Sequence, residues 1–276
     1  MARSFWEKMQ AIDRRIIFLF VAAGVIVPLI AKLNLGVSVT GRVRAIYDKI
    51  ESLPERSPVL ISADFDPSAA PELYPMLESL VHHCFKKNHR LILVTLWPGA
   101  PGLVNQVLEE QSKLLNKVKG ENYIFLGFKT GGYGVVLSLG QDIKKAFPIV
   151  DNKPITEIPV LKGIDKLADI KYAVGLSAGV PGIDTWVIYG SEKYGFELGA
   201  GVTGVMATQY FPYLQSKQVN GLMGGLKGAA EYEMLLGRQK EGSAVKRMDP
   251  QAVTHVIIIA FIILGNIAYF TIKKTR

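Results

Sequence analysis

The sequence predicts an α/β protein: a doubly wound, mainly parallel five-stranded sheet, flanked by N- and C-terminal transmembrane helices. Three observations carry that expectation. Residues 16–31 (IIFLFVAAGVIVPLIA) hold no polar side chain. Residues 253–272 (VTHVIIIAFIILGNIAYFTI) hold no full charge. Between them, short continuous apolar runs alternate with longer amphipathic stretches, as in a parallel sheet covered on both faces.

The first apolar segment continues through residues 33–37 if Lys32 snorkels. That supplies the ~20 residues needed to cross a hydrocarbon core of about 30 Å. A cleaved signal peptide is the competing reading, and Arg14 and Arg15 suit its basic start. Pro28, Lys32 and Asn34 stand where small residues should mark cleavage, which favours an uncleaved anchor. The second segment is apolar on every face, as a core helix of that length rarely is. His255 lies close to one end, at headgroup level. Asn266 either bonds a partner helix or is a polar residue tolerated near the interface.

Two spans place both termini on one side. Arg3, Lys8, Arg14, Arg15, Lys273, Lys274 and Arg276 flank the spans outwardly; Lys32, Arg42, Arg44, Lys246 and Arg247 flank them inwardly. The balance predicts a protein integral to the cell membrane, with cytoplasmic termini and an extracytoplasmic central domain. The whole chain carries +8, but residues 38–249 hold 24 basic and 22 acidic side chains, so the excess sits at the ends. A nucleic-acid footprint needs a basic face on the domain, so nucleic acid is not an expected partner. The expected partners are the lipid bilayer and a membrane protein or a second copy of the chain. The single Cys excludes a disulfide framework and a Cys-based zinc site. A hydrophobic share of 49% excludes disorder as the main state.

The expected organisation is a tail and anchor over 1–37, a linker over 38–57, a Rossmann-like domain over 58–237, a linker over 238–250, and an anchor with a basic tail over 251–276. Within the domain, 59–63 (VLISA) reads as the first strand, and 68–87 as a helix with Pro71 in its first turn. Residues 91–96 (LILVTL) form the second strand, and 102–118 a helix with Leu103, Val107, Leu114 and Val118 on a helical period. Strand 123–128 (YIFLGF) and helix 133–147 follow, then a proline-rich excursion over 148–166. Strand 170–176, helix 183–194, strand 202–207 and a long helix over 218–236 complete the pattern.

Right-handed crossovers put all strand C-terminal ends on one edge, where open α/β sheets bind ligands. The loops there nominate Asp64, Asp66, Trp97, Lys129, Thr130, Gly131, Gly132, Ser177, Gly179 and Asp184 as ligand-binding residues. Lys129-Thr130-Gly131-Gly132 leads into a helix N-terminus, which either holds an anion or is simply a glycine turn. Neither GxxxxGK[ST] nor GxGxxG occurs, so no cofactor is specified.

Asp64 and Asp66 end the first strand as a DxD, which resembles haloacid-dehalogenase-type phosphatases; Thr95 and Lys129 would then stand for that family's hydroxyl and cation. Pro67-Ser68 departs from its pattern, and helix capping by Asp66 or Ser68 is the competing reading. A metal-dependent hydrolase with catalytic Asp64 and Asp66 is therefore the alternative function. His82 and His83 point about 100° apart on a helix and cannot chelate one ion together, and Cys84 reads as core. Ser177 lacks a GxSxG elbow. Gly221, Gly225 and Gly228 would form a smooth helix face, packed inside the domain or against another subunit.

The stretches DPSAAPELYPM and PYLQSKQVNGLMGGLKGAAEYE, with the C-terminal anchor, resemble an uncharacterised family of double-anchored prokaryotic membrane proteins. The resemblance implies the architecture and carries no catalytic residue. The expected function is a non-catalytic accessory or scaffold subunit that binds a protein partner or a small anionic ligand at the strand-end edge.

Overall fold

The computed structural model describes residues 5–31, 36–239 and 241–275. The roles expected of Arg3, Lys32, Asn34 and Arg276 fall outside them. The chain divides into two compact units, Met1–Gly36 with Val245–Arg276, and Val37–Ala244.

The chain opens with α1 (Phe5–Gln10) and α2 (Arg14–Ala31). The domain then begins with α3 (Gly41–Ser52), where the sequence suggests a linker. Val43, Ile46 and Ile50 recur at helical spacing and are buried, so this segment is core rather than connection. Next come β1 (Pro58–Asp64), α4 (Ala70–Lys86), β2 (Arg90–Thr95), α5 (Pro101–Leu114), β3 (Tyr123–Phe128) and α6 (Tyr133–Gln141). The expected helix 133–147 breaks at Asp142, whose carboxylate accepts from the Lys144 and Lys145 amides and restarts a short turn. The proline-rich excursion carries a two-residue hairpin and 3-10 turns.

β4 (Tyr172–Ser177) and α7 (Ile183–Trp186) follow, then β5 (Glu197–Val202), β6 (Gly221–Gly224) and α8 (Gly225–Leu235). Apart from the antiparallel hairpin of that excursion, the strands form one six-stranded, all-parallel sheet in the order β3-β2-β1-β4-β5-β6, with the reversal between β1 and β4. That is a doubly wound order. Helices cover both faces. On β5, Leu198, Ala200 and Val202 join the core with Val136 and Trp186, while Gly199 and Gly201 face Ile46 of α3 and Met76 of α4.

The strand count corrects the expectation of five. Residues 202–207 are not the fifth strand: β5 ends at Val202, where that segment begins. The expected helix 218–236 likewise starts only at Gly225, after β6 has paired with β5. Both strands are glycine-rich, and glycine has weak intrinsic strand preference. Tertiary contact explains their composition. A Cβ at Gly199 would lie 2.3 Å from the Tyr172 hydroxyl, and one at Gly221 would lie 2.6 Å from the Arg42 carbonyl.

The same contacts correct the glycine face. Gly221 lies in a strand. Gly225 has φ +61° beside the Gly204 backbone, and a Cβ at Gly228 would lie 2.8 Å from the Met223 backbone. The three glycines serve packing within the domain.

Two buried carboxylates on α8 tie down both ends of the domain. Glu231 Oε2 accepts from the Thr40 amide at 2.8 Å and the Thr40 hydroxyl at 2.5 Å. Glu233 Oε1 accepts from the Ala244 amide at 3.0 Å. Thr40 immediately precedes α3, and Ala244 lies in the first turn of the last helix, α9 (Ser243–Thr275). Each carboxylate meets an N–H at or beside a helix start, where the first amides lack intrahelical acceptors.

In the other unit, Phe20 packs on Phe261, and Gly24 packs on Ile257 and Thr254, so α2 and α9 run antiparallel. Among the described residues two helices are long and apolar enough to cross a membrane, Arg14–Ala31 and Ser243–Lys273. Asn266 does not reach α2; it donates to Ile262 O on its own helix at 2.8 Å.

Replacing Gly228 with Ala should overpack α8 against β6 and cost about 1–3 kcal/mol. Thermal unfolding in detergent should show the lower Tm with unchanged particle size. A smaller particle at unchanged Tm would return this glycine to a subunit interface.

Candidate functional site

The topology places the candidate site at the C-terminal ends of β1 and β4, whose last residues, Asp64 and Ser177, pair directly in register. In this strand order a crevice opens there, because the chains leaving β1 and β4 turn to opposite faces. The protein's own side chains fill it.

Asp64 is fully buried. Its Oδ1 accepts from the Leu96 amide at 2.7 Å, and its Oδ2 from the Ser62 hydroxyl at 2.7 Å and from Trp186 Nε1 at 2.9 Å. Burial pushes its carboxyl up to about 6, against the pull of these three donors. Asp66 behaves oppositely. It accepts from the Ser68 hydroxyl at 2.5 Å and the Ser68 amide at 2.9 Å, and these bonds hold its carboxyl below the usual range. It closes a local turn ahead of α4, whose N-cap position is Ala69 and receives no side-chain cap, so the helix capping expected of Asp66 or Ser68 is not made.

The two carboxylates of the DxD differ in setting, Asp64 sealed in the core and Asp66 partly exposed. Thr95 is also committed: its hydroxyl donates to Ala63 O at 2.6 Å and accepts from the Trp97 amide at 3.0 Å. Among the described residues no three His, Cys, Asp or Glu side chains gather to hold a metal ion.

Lys129 does not attend the glycine turn. Its ammonium donates to Ala146 O at 2.6 Å and lies 5.5 Å from the Phe147 ring centroid. Gly131 and Gly132 have φ of +127° and +51°, so the turn into α6 needs glycine for conformational reasons. Thr130 is exposed beside them. Burial and the neighbouring Asp184 carboxylate raise the Tyr213 phenol above its ordinary value.

Ser177 is turned into its own loop, donating to Gly179 O at 2.8 Å. Trp97 roofs the crevice from the other side. Its Nε1 donates to Pro181 O at 2.7 Å, and a Cβ on Gly179 would lie 3.2 Å from its ring. The β2 and β4 loops are thereby locked together, and Gly132 stands beside Pro181. Of the ten nominated residues, the structure brings Asp64, Trp97, Ser177, Gly179 and Gly132 to the β1/β4 crevice. It directs Lys129 and Asp184 to other partners, and leaves Asp66 bonded to Ser68 in the turn before α4.

The loops of this edge expose three large apolar or aromatic side chains alongside the polar Ser68, Lys129, Thr130 and Thr208. Val180 is 80% exposed and Tyr133 57%, with Tyr133 stacked on Tyr189 at 4.8 Å. On the β5 loop Val205 is 86% exposed. Sequence reasoning passes over Tyr133, Val180 and Val205 because a single apolar residue in a loop carries no periodic signal. It passes over Trp186 because that residue sits in a helical run. A cavity of about 570 Å³ opens at the opposite edge, lined by Phe196, Glu197, Leu214 and Asn220 among others.

His83 is likewise structural. It is buried, with Nδ1 at 2.8 Å from the Tyr232 hydroxyl and Nε2 at 2.9 Å from Glu51, and burial pushes it down to about 4. Cys84 is fully buried, as expected of a core residue.

The chain matches no protein-family model and no curated protein. Among solved structures it is similar to a trehalose-6-phosphate synthase, OtsA, at 9% identity and a TM-score of 0.31. It is also similar to a structure described as trehalose-6-phosphate from E. coli bound with UDP-2-fluoro glucose, at 10% and 0.32. Each alignment covers 89% of this chain and 48% of the other, so the chain spans about half the length of these structures.

Asp64 binds a proton more readily in the folded domain than in the unfolded chain. Its stabilising contribution is therefore complete below pH ~4 and is lost as pH rises through about 6. The difference between about 4 and about 6 corresponds to roughly 3 kcal/mol. Urea unfolding of the detergent-solubilised protein should show this decline between pH 4 and pH 7. Asp64→Asn, which cannot ionise, should flatten it while costing about 1–3 kcal/mol at pH 4. An unaltered pH slope in the variant would show that another group governs it.

Proposed function

We propose that this protein is a membrane-anchored, non-catalytic α/β module, an accessory or scaffold subunit that docks a protein partner on the strand C-terminal edge. One observation carries the reading. The crevice at that edge is roofed by Trp97 against Pro181, while Val180, Tyr133 and Val205 stand exposed on the surface around it. A closed crevice with exposed apolar and aromatic side chains among polar ones suits a protein contact better than a small solute, which needs a concave pocket with convergent polar groups. Lys129, the cation a small anion would require, is engaged with Ala146.

Two flanking helices support residence in a membrane. Their antiparallel packing supports placing both termini on one side, and the balance of basic residues supports cytoplasmic termini with the domain outside.

A photo-crosslinking side chain at Val180 should trap a discrete partner, while one at Glu121, exposed at the opposite edge of the sheet, should not. Identical products at both positions would remove the edge as a docking surface. Sidedness is read with a membrane-impermeant thiol reagent on intact cells in a Cys84→Ala background. Lys193→Cys in the domain should label, and Gln10→Cys in the N-terminal tail should not. The reverse pattern would invert the topology.

A further inference from the structure

The C-terminal span has two faces, and only one of them is covered. At about 100° per residue, Ile257 lies about 180° round α9 from Asn266, and Phe261 lies about 140° away. These are the residues that meet Gly24 and Phe20 of α2. Asn266 therefore stands at the centre of the face turned away from α2. Val256, Ile259, Ile263 and Phe270 share that face, and each is more than half exposed.

With Asn266 they fall at successive spacings of three, four, three and four residues. That is the seam of a left-handed helix pair, in which a single Asn fixes register and oligomeric state. Asn266 gives one N–H to Ile262 O. Its second N–H and its Oδ1 have no partner among the described residues. In hydrocarbon, such groups cost free energy until a partner meets them.

We propose that this face of α9 pairs with the same face of a second copy of this chain, registered by reciprocal hydrogen bonds between the two Asn266 side chains. An identical amide supplies both missing partners at once, one donor and one acceptor, across a two-fold axis. Copies inserted in the same orientation bring equivalent residues of the seam together. Lipid chains offer neither group, and α2 lies on the far side of the helix. The inference rests on α9 spanning a bilayer and is independent of the docking edge around Val180.

The test uses the full chain in phosphatidylcholine vesicles with Cys84→Ala, a background in which the single native thiol is removed. Copper-phenanthroline oxidation should yield disulfide dimers from Ile259→Cys and Ile263→Cys. Leu264→Cys, about 160° from Asn266, should yield none. Adding Asn266→Leu should weaken association three- to thirtyfold by energy transfer between labelled copies diluted in lipid, the span of measured interhelical hydrogen bonds. Asn266→Gln, which retains a donor and an acceptor, should largely preserve it. A monomer under all conditions, equal cross-linking at Leu264→Cys, or association indifferent to Asn266→Leu would overturn the pairing. Release of the chain by alkaline carbonate would overturn the span itself, whatever cross-linking at Val180 reports.

Discussion

The carboxylate of Asp64 is the interaction on which the centre of the domain depends. It receives hydrogen bonds from three places: Ser62 within β1, the Leu96 amide after β2, and the Trp186 indole of α7 after β4. Those elements lie on both sides of the reversal in strand order. A buried carboxylate is costly unless its oxygens are bonded, so the three donors and the acid require one another. Their agreement draws the β2 exit and α7 over the crevice. The crevice thereby becomes part of the core.

The second half of the sheet obeys a different constraint. β5 and β6 are built largely from glycine and small apolar residues, and the absent side chains are what let α3, α4 and α8 approach. Gly199 leaves room for the Tyr172 hydroxyl and Ile46, Gly201 for Leu176 and Met76, and Gly228 for the Met223 backbone. Close approach then buries Glu231 and Glu233, whose oxygens reach the amides of Thr40 and Ala244. The residues through which the chain enters and leaves the domain are thus held by one helix. An isolated strand of Gly and Ala would gain little from its own side chains; here backbone pairing and helix contact stabilise it.

The helical hairpin outside the domain is organised by size and polarity. Gly24 admits Ile257 against α2, and the aromatic pair Phe20–Phe261 fills the space beside it. That arrangement uses one side of α9. Asn266, a polar residue inside the apolar run, is left facing the surroundings. Its amide bonds its own helix in part, and helix geometry, rather than composition, determines which way the remainder points.

Much of the architecture was legible in the residues alone. Continuous apolar runs specify parallel strands, because both faces of such strands are buried. The runs VLISA, LILVTL and YIFLGF stand inside the observed β1 to β3 or overlap them within a residue or two. Uninterrupted apolarity over residues 16–31 and 253–272 likewise identifies two helices of spanning length. The residues left helix capping open to Asp66 or Ser68, whereas in the fold Asp66 bonds Ser68 and the helix, with Ala69 at its N-cap position, begins without a side-chain cap. Tertiary structure alone decided the rest. Strands β5 and β6 lack the apolar signal, since their stability comes from what packs on glycine. Helix α3 lies hidden in an apparent linker, since its three apolar residues count only once a sheet stands beside them. The fate of the candidate site was set by partners distant in the chain: Trp186 for Asp64, Ala146 for Lys129, and Pro181 for Trp97. A side chain's identity states which bonds it can make. Only the folded chain determines which groups arrive within 3 Å to make them.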